Sequence, residues 1–321
     1  AVITMINAYV GREAFQKGVQ AYMRAHAYGN TEDGDLWSEI QKAAGKPILQ
    51  IEHDVTRQAG VPLIKATFDK GAVLLSEGRF AADPATIAGA PPQSWLLPIA
   101  VQSLSGGKAQ TALLKAPARF AVAPPALVNA GQQTYGRVLY PAGAALALSA
   151  ALPKLAAADQ YGVLSDTAAL GFAGYQSAGD MLTLIASLPQ GADPIVWQRA
   201  LTLLGDIDGH YADGAPKAAF RAFALKLLHP LAARLGLSAK PGEDGNIQIL
   251  RMALDRLAGR FGDAGVIAWA KKTMDDAAAN PIDRRAALDV AAASADAGAF
   301  DALLAKARAE KDPLAKQHMF E

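Results

Sequence analysis

Apolar residues recur at helical spacing from the start of the chain. Val2, Ile3, Ile6, Tyr9 and Val10 share one face, and Gly11 ends that helix. Phe15, Val19, Tyr22 and Met23 line a second helix that ends at Ala25-His26-Ala27-Tyr28. The loop from Gly29 to Asp35 launches a third at Leu36-Trp37. Its stripe of Leu36, Trp37, Ile40, Ala43 and Ala44 closes at Gly45-Lys46-Pro47, and residues 47–57 read as a short fourth helix. Amphipathic helices this short need a surface to pack on.

At Val61 the period falls to two. Val61, Leu63, Lys65 and Thr67 alternate with Pro62, Ile64, Ala66 and Phe68, and strand-like runs follow at 71–80, 95–104, 108–115, 118–122 and 135–140. Turns at Asp69-Lys70-Gly71, Gly89-Ala90-Pro91-Pro92 and Ser105-Gly106-Gly107-Lys108 separate them. Short strands with no helix between them predict a small antiparallel β-sandwich or barrel over 61–140.

After Pro141 the helical period returns. Segments at about 144–157, 159–175, 178–188, 194–207, 215–235, 243–261, 263–278, 281–296, 298–309 and from 312 onward are broken at Gly, Pro or Asp. Consecutive helices joined by short turns predict a curved helix-pair α-solenoid of the HEAT or armadillo sort over 141–321. The chain is therefore expected to be multidomain and mainly α, with a helical segment at 1–60, the β-sandwich at 61–140 and the solenoid at 141–321.

Composition agrees. Hydrophobic residues make up 51% of the 321 but aromatics only 7%, which favours many small helix contacts over one large sheet core. Thirty-one basic residues against thirty acidic ones, without a block of either sign, leave no electrostatic footprint for nucleic acid or an anionic membrane. No run approaches the roughly 18 apolar residues of a membrane span, and the start lacks the order of a signal peptide. With no cysteine, disulfides and thiolate metal sites are excluded, while the cytoplasm and the periplasm both remain open.

Both ends read as interrupted helices. No capping residue precedes Val2, and Asp312-Pro313 begins a helix that meets no stop signal before Glu321. A piece of a longer protein is expected, with Val2, Ile3 and Ile6 unusually exposed or covered by a neighbouring copy.

Catalytic motifs are missing. The histidines His26, His53, His210, His229 and His318 supply no H-E-x-x-H pair, and a lone imidazole such as His26 at a helix end reads as a cap or surface group. There is no nucleophile elbow, dinucleotide turn or P-loop. Asp206-Ile207-Asp208-Gly209 hints at a calcium loop, but Lys217 stands where the bidentate glutamate belongs, so an interhelical turn is expected. Pro241-Gly242-Glu243-Asp244 reads as a helix start. Arg251 beyond it is the candidate substrate-binding residue, able to offer a guanidinium to a carboxylate, against a plainer reading as a paired structural arginine. Trp37, Tyr135 and Tyr140 read as core or interface anchors, and Trp95 as buried rather than glycan-binding.

Several stretches together resemble a known family. Val10 to Tyr22, His26-Ala27-Tyr28-Gly29-Asn30-Thr31, Asp35-Leu36-Trp37 and Thr56-Arg57-Gln58-Ala59-Gly60-Val61-Pro62 resemble the end of the catalytic domain in zinc aminopeptidases of the aminopeptidase N type. Glu77-Gly78-Arg79-Phe80 is similar to that family's Gln-x-Arg-Phe strand. Asn129 with Tyr135-Gly136-Arg137-Val138-Leu139-Tyr140 is similar to its Asn…Tyr-Tyr-Arg-Val-x-Tyr run, and Lys240 to Asp244 with Leu250-Arg251 to a turn in its helical domain. Val55, Val61 and Gly136 depart from the pattern.

The resemblance implies a zinc-dependent parent enzyme that releases N-terminal residues from peptides. The family's zinc ligands, N-terminus-recognising motif and transition-state tyrosine all lie upstream of Ala1, so no catalytic or metal residue transfers to this chain and zinc belongs to the parent. The implied partners are the upstream catalytic domain and peptide substrates, with the helical part closing over the substrate chamber. The alternative is a stand-alone solenoid that binds a protein or peptide on its concave face.

Overall fold

The computed structural model describes residues 2–115 and 117–320. Ala1, Glu321 and the side chain of His318 lie outside the described residues. The chain forms two compact units, Ala1–Leu188 and Pro189–Glu321.

The first unit opens with α1 (Val2–Val10), α2 (Arg12–Ala25), α3 (Asp33–Ala44) and α4 (Ile48–Thr56). Helix α3 begins at Asp33, ahead of Leu36, because Glu32 and Asp35 form a reciprocal capping box in which Asp35 Oδ2 accepts from the Glu32 N–H at 2.9 Å. Gly45, left-handed at φ 62°, ends it. Where α2 crosses α3, a Cβ on Gly18 would lie 2.5 Å from Ile40 Cα, so only glycine admits this backbone approach.

The strands are β1 (Val61–Asp69), β2 (Ala72–Phe80), β3 (Leu97–Ser103), β4 (Gln110–Leu114), β5 (Ala118–Phe120), β6 (Ala126–Val128) and β7 (Arg137–Leu139). They make a four-stranded sheet, β5-β2-β1-β7, and a three-stranded sheet, β4-β3-β6. Two features depart from the sequence pattern. Strand β6 is too short and too fully buried to alternate, and β7 pairs with β1 in parallel, Leu63 opposite Arg137, so the four-stranded sheet is mixed.

The opening helices and both sheets share one apolar core. Met5, Ile6, Trp37, Ile40, Ile48 and Ile51 pack with Ile64, Val73, Leu97, Ile99, Val101 and Val138. Ile3 is 59% exposed as expected, but Ile6 is fully buried, and Met5 joins it. At 100° per residue Met5 and Ile6 fall inside the arc of α1 that meets β3 and α4, whereas Ile3 falls outside it. Trp37 and Trp95 are core residues, and Tyr135 and Tyr140 pack against that core. Helices α5 (Ala144–Ala151), α6 (Ala157–Phe172) and α7 (Ala178–Ala186) complete the unit. Asp166 of α6 holds β7 by accepting from Arg137 Nη1 at 2.9 Å and the Val138 N–H at 3.0 Å.

The second unit contains α8 (Pro194–His210), α9 (Ala215–Leu235), α10 (Gly245–Arg260), α11 (Ala264–Thr273), α12 (Pro281–Ala293), α13 (Ala297–Ala309) and α14 (Pro313–Phe320). Side-chain caps at Asp193, Asp244, Asp263, Asn280 and Asp296 set five of these starts. Helix α10 packs on its next-but-one neighbours α8 and α12, and α11 packs on α12. No described helix is long and apolar enough to cross a membrane.

Gly18→Ala is expected to lower stability by about 1–3 kcal/mol through overpacking against Ile40, and Ile3→Ser to stay within about 0.5 kcal/mol. Urea denaturation checks both, and equal effects would contradict the placement of α1 and α2.

Candidate functional site

A concavity of about 820 Å³ in the second unit lies along α8, α10 and α12. Leu201 from α8 and Ile249, Met252, Ala253 and Leu257 from α10 supply its apolar lining. Arg221, Arg256 and Arg260 line the same groove, with Asp206 and Asp289 at its acidic positions.

The cations differ in how far they are committed. Beside them, Asp208 is fully buried and accepts from Arg221 Nε at 2.6 Å, Arg221 Nη2 at 3.0 Å and Arg260 Nη2 at 3.1 Å. The hydrogen bonds from Arg221 hold its carboxyl below the usual range. Two guanidinium groups thus share one carboxylate, and with Asp206 and Asp289 counted the three arginines face three aspartates. Arg256, one turn before Arg260 on the same face, is exposed and has no hydrogen bond or ion pair among the described residues. An apolar trough beside an uncommitted guanidinium suits an amphipathic anion.

Arg251 is elsewhere. It is 3% exposed, and its Nη1 donates to Glu243 Oε2 at 2.8 Å while Nη2 donates to Glu243 Oε1. Its Nε reaches the Leu235 carbonyl at 3.4 Å. The guanidinium thus ties the start of α10 to the end of α9, and as placed it faces Glu243. Asp255, one turn further along α10, is 2% exposed, and its Oδ2 has no partner. Burial pushes its carboxyl up to about 8; Arg251 opposes the shift, and Asp283 and Asp263 add to it.

Other candidates resolve simply. Asp206 to Gly209 lie in the last turn of α8, which runs on to His210 instead of turning there. His26 is the C-cap residue of α2, with Nδ1 3.9 Å from Asp35 Oδ2. Among the described residues, no three His, Cys, Asp or Glu side chains are grouped to hold a metal ion, so the residues present do not fit a zinc centre. Arg256 escaped the sequence reading, although Ile249, Met252, Arg256 and Arg260 recur at helical spacing; nothing local marked that face as a groove.

Residues 126–321 match the family described as ERAP1-like C-terminal domain. The chain belongs to that family. Residues 1–55 match the peptidase family M1 domain, so the ERAP1-like domain follows an M1 segment in one chain, with β1 to β5 outside both matches. The relatives agree. Aminopeptidase M1-A of Oryza sativa is 31% identical over 269 residues, covering 79% of this chain and 30% of that protein. Tricorn protease-interacting factor F2 of Thermoplasma volcanium is 27% identical over 251 residues, 78% of this chain and 30% of its own length. Aminopeptidase 2 of Candida albicans is 24% identical over 318 residues, 94% and 34% respectively. This chain thus spans about a third of these curated relatives and corresponds to the C-terminal part of aminopeptidase N-type enzymes.

Arg251→Ala strands the Glu243 carboxylate at the ERAP1-like domain's α9–α10 corner and is expected to cost about 3–5 kcal/mol, whereas Arg256→Ala stays within about 0.5 kcal/mol; chemical denaturation compares them. Asp255 binds a proton in the folded state up to about 8 but only to its ordinary 3.8 when unfolded, so its contribution falls as pH rises between those values. Asp255→Asn is expected to raise stability relative to the parent chain at pH 8, with the gain shrinking toward pH 4. Melting curves across that range check the slope.

Proposed function

We propose that this chain is the non-catalytic C-terminal part of a zinc metallo-aminopeptidase that releases N-terminal residues from peptides. The observation that carries the reading is the order of the two matches, an M1 peptidase segment at 1–55 followed by an ERAP1-like domain at 126–321. That order supports it over a stand-alone scaffold. The upstream catalytic domain is the partner, and α1 to α4 are the end of that domain. Zinc and the chemistry of peptide-bond cleavage belong to upstream residues.

In this reading the helical part is a HEAT- or armadillo-like stack that closes over the substrate chamber. The limits 1–60, 61–140 and 141–321 are proposed as modules of the parent enzyme and not as separate folding units, since 1–188 forms one compact unit. The groove along α8, α10 and α12 receives the distal part of the peptide. Arg256, and not the paired Arg251, supplies the guanidinium for a carboxylate, because Arg256 lines the groove uncommitted.

The purified chain is expected to show no chelator-sensitive turnover of aminoacyl fluorogenic substrates. It should bind a peptide with a free distal carboxylate more tightly than the same peptide amidated. Arg256→Ala should remove a difference of about tenfold, the scale of one charge-assisted hydrogen bond. Zinc-dependent turnover would overturn the first claim, and equal binding of acid and amide the second.

A further inference from the structure

Residues 94–96, which lead into β3, are held by side chains from two other elements. Gln58, just past α4, donates from Nε2 to the Ser94 carbonyl at 3.1 Å. Asp54 of α4 accepts from the Leu96 N–H at 2.8 Å, and Glu77 of β2 accepts from the Trp95 N–H at 3.4 Å. Consecutive backbone N–H groups are therefore gripped by two carboxylates from different elements, one of which is Glu77, with Oε1 buried and unpartnered.

We propose that Asp54, Gln58 and Glu77 form a pH-responsive clasp that joins α4 to the sandwich, closed while Glu77 is protonated and loosened when it ionises. The surroundings set this behaviour. Burial pushes the Glu77 carboxyl up to about 7; the hydrogen bond from the Trp95 N–H opposes the shift, and Asp54 adds to it. The remaining charged groups nearby do not offset them. Arg79, two residues along β2, lies over Gly60 with its buried Nε unpartnered. Glu52 is tied to Thr56 and His53 on α4. Lys65 of β1 approaches Gly78, whose side of β2 is opposite to that of Glu77. The segment 93–96 carries no charge of its own. Neutral, Glu77 keeps Oε2 as the acceptor for Trp95 and leaves no buried anion beside Asp54. Ionised, it faces a like charge, and water must enter to solvate Oε1.

The sign follows from linkage. The folded state holds this proton up to about 7 and the unfolded chain only to 4.5, so the clasp weakens as pH rises across that window and is fully loosened above it.

The test is amide exchange at Trp95 and Leu96 by NMR on the whole chain, corrected for intrinsic base catalysis, between pH 6 and 8.5. Protection at both amides is expected to fall by about tenfold in the parent chain and to stay level in Glu77→Gln, which cannot ionise. Asp54→Asn should move the fall to lower pH. Matching profiles in the parent and Glu77→Gln would overturn the proposal. A direct readout independent of any variant is the Glu77 side-chain carboxyl carbon shift. A midpoint near 7 supports the clasp, and one near 4.5 overturns it.

Discussion

The first unit depends on a core that is not divided where the sequence changes period. Met5, Ile6, Trp37, Ile40, Ile48 and Ile51 come from helices, and Ile64, Val73, Leu97, Ile99 and Val101 from strands, yet they bury one another in a single cluster. Burial of a side chain of this size contributes about 1.5–3 kcal/mol. The helices and the two small sheets thus bury one another's apolar faces. The close α2–α3 crossing at Gly18, the capping box at Glu32 and the carboxylates of Asp54 and Glu77 are arranged around that shared core.

The second unit is tied together by ion pairs in which at least one partner is buried. Asp208 gathers Arg221 and Arg260, tying α8, α9 and α10, and Glu243 takes Arg251 at the corner between α9 and α10. Such pairs contribute modest net stability but fix which helix faces meet, because any other packing would strand a charge. With these cations committed, Arg256 lines the groove unpaired among the described residues, alongside the acidic Asp206 and Asp289. The apolar trough and the cation beside it are thus a consequence of how the helices are locked together.

Much of this was legible in the chain. The helix from 215 to 235 was bounded correctly because Gly214 and Gly236 flank it, and β1 and β2 because alternation and the Asp69-Lys70-Gly71 turn coincide. Strand β6 was missed because a three-residue, fully buried strand has no period to show. The parallel β1–β7 pair depends on a long-range return that local pattern does not encode. Ile6 is expected to be exposed when the opening is read as packing on a domain upstream of this chain, whereas it is buried in the core shared with the sandwich. Arg251 stood out through the turn before it, whereas Arg256 became notable only once α8 and α12 flanked its helix.

The claim that the helical opening and the sandwich are one cooperative structure is tested most directly by hydrogen exchange with mass spectrometry on the whole chain in rising urea. Peptides from 1–60 and from 61–140 are predicted to lose protection in one transition with one midpoint and one slope. Loss of protection over 1–60 at clearly lower urea, with 61–140 still protected, would contradict the shared core.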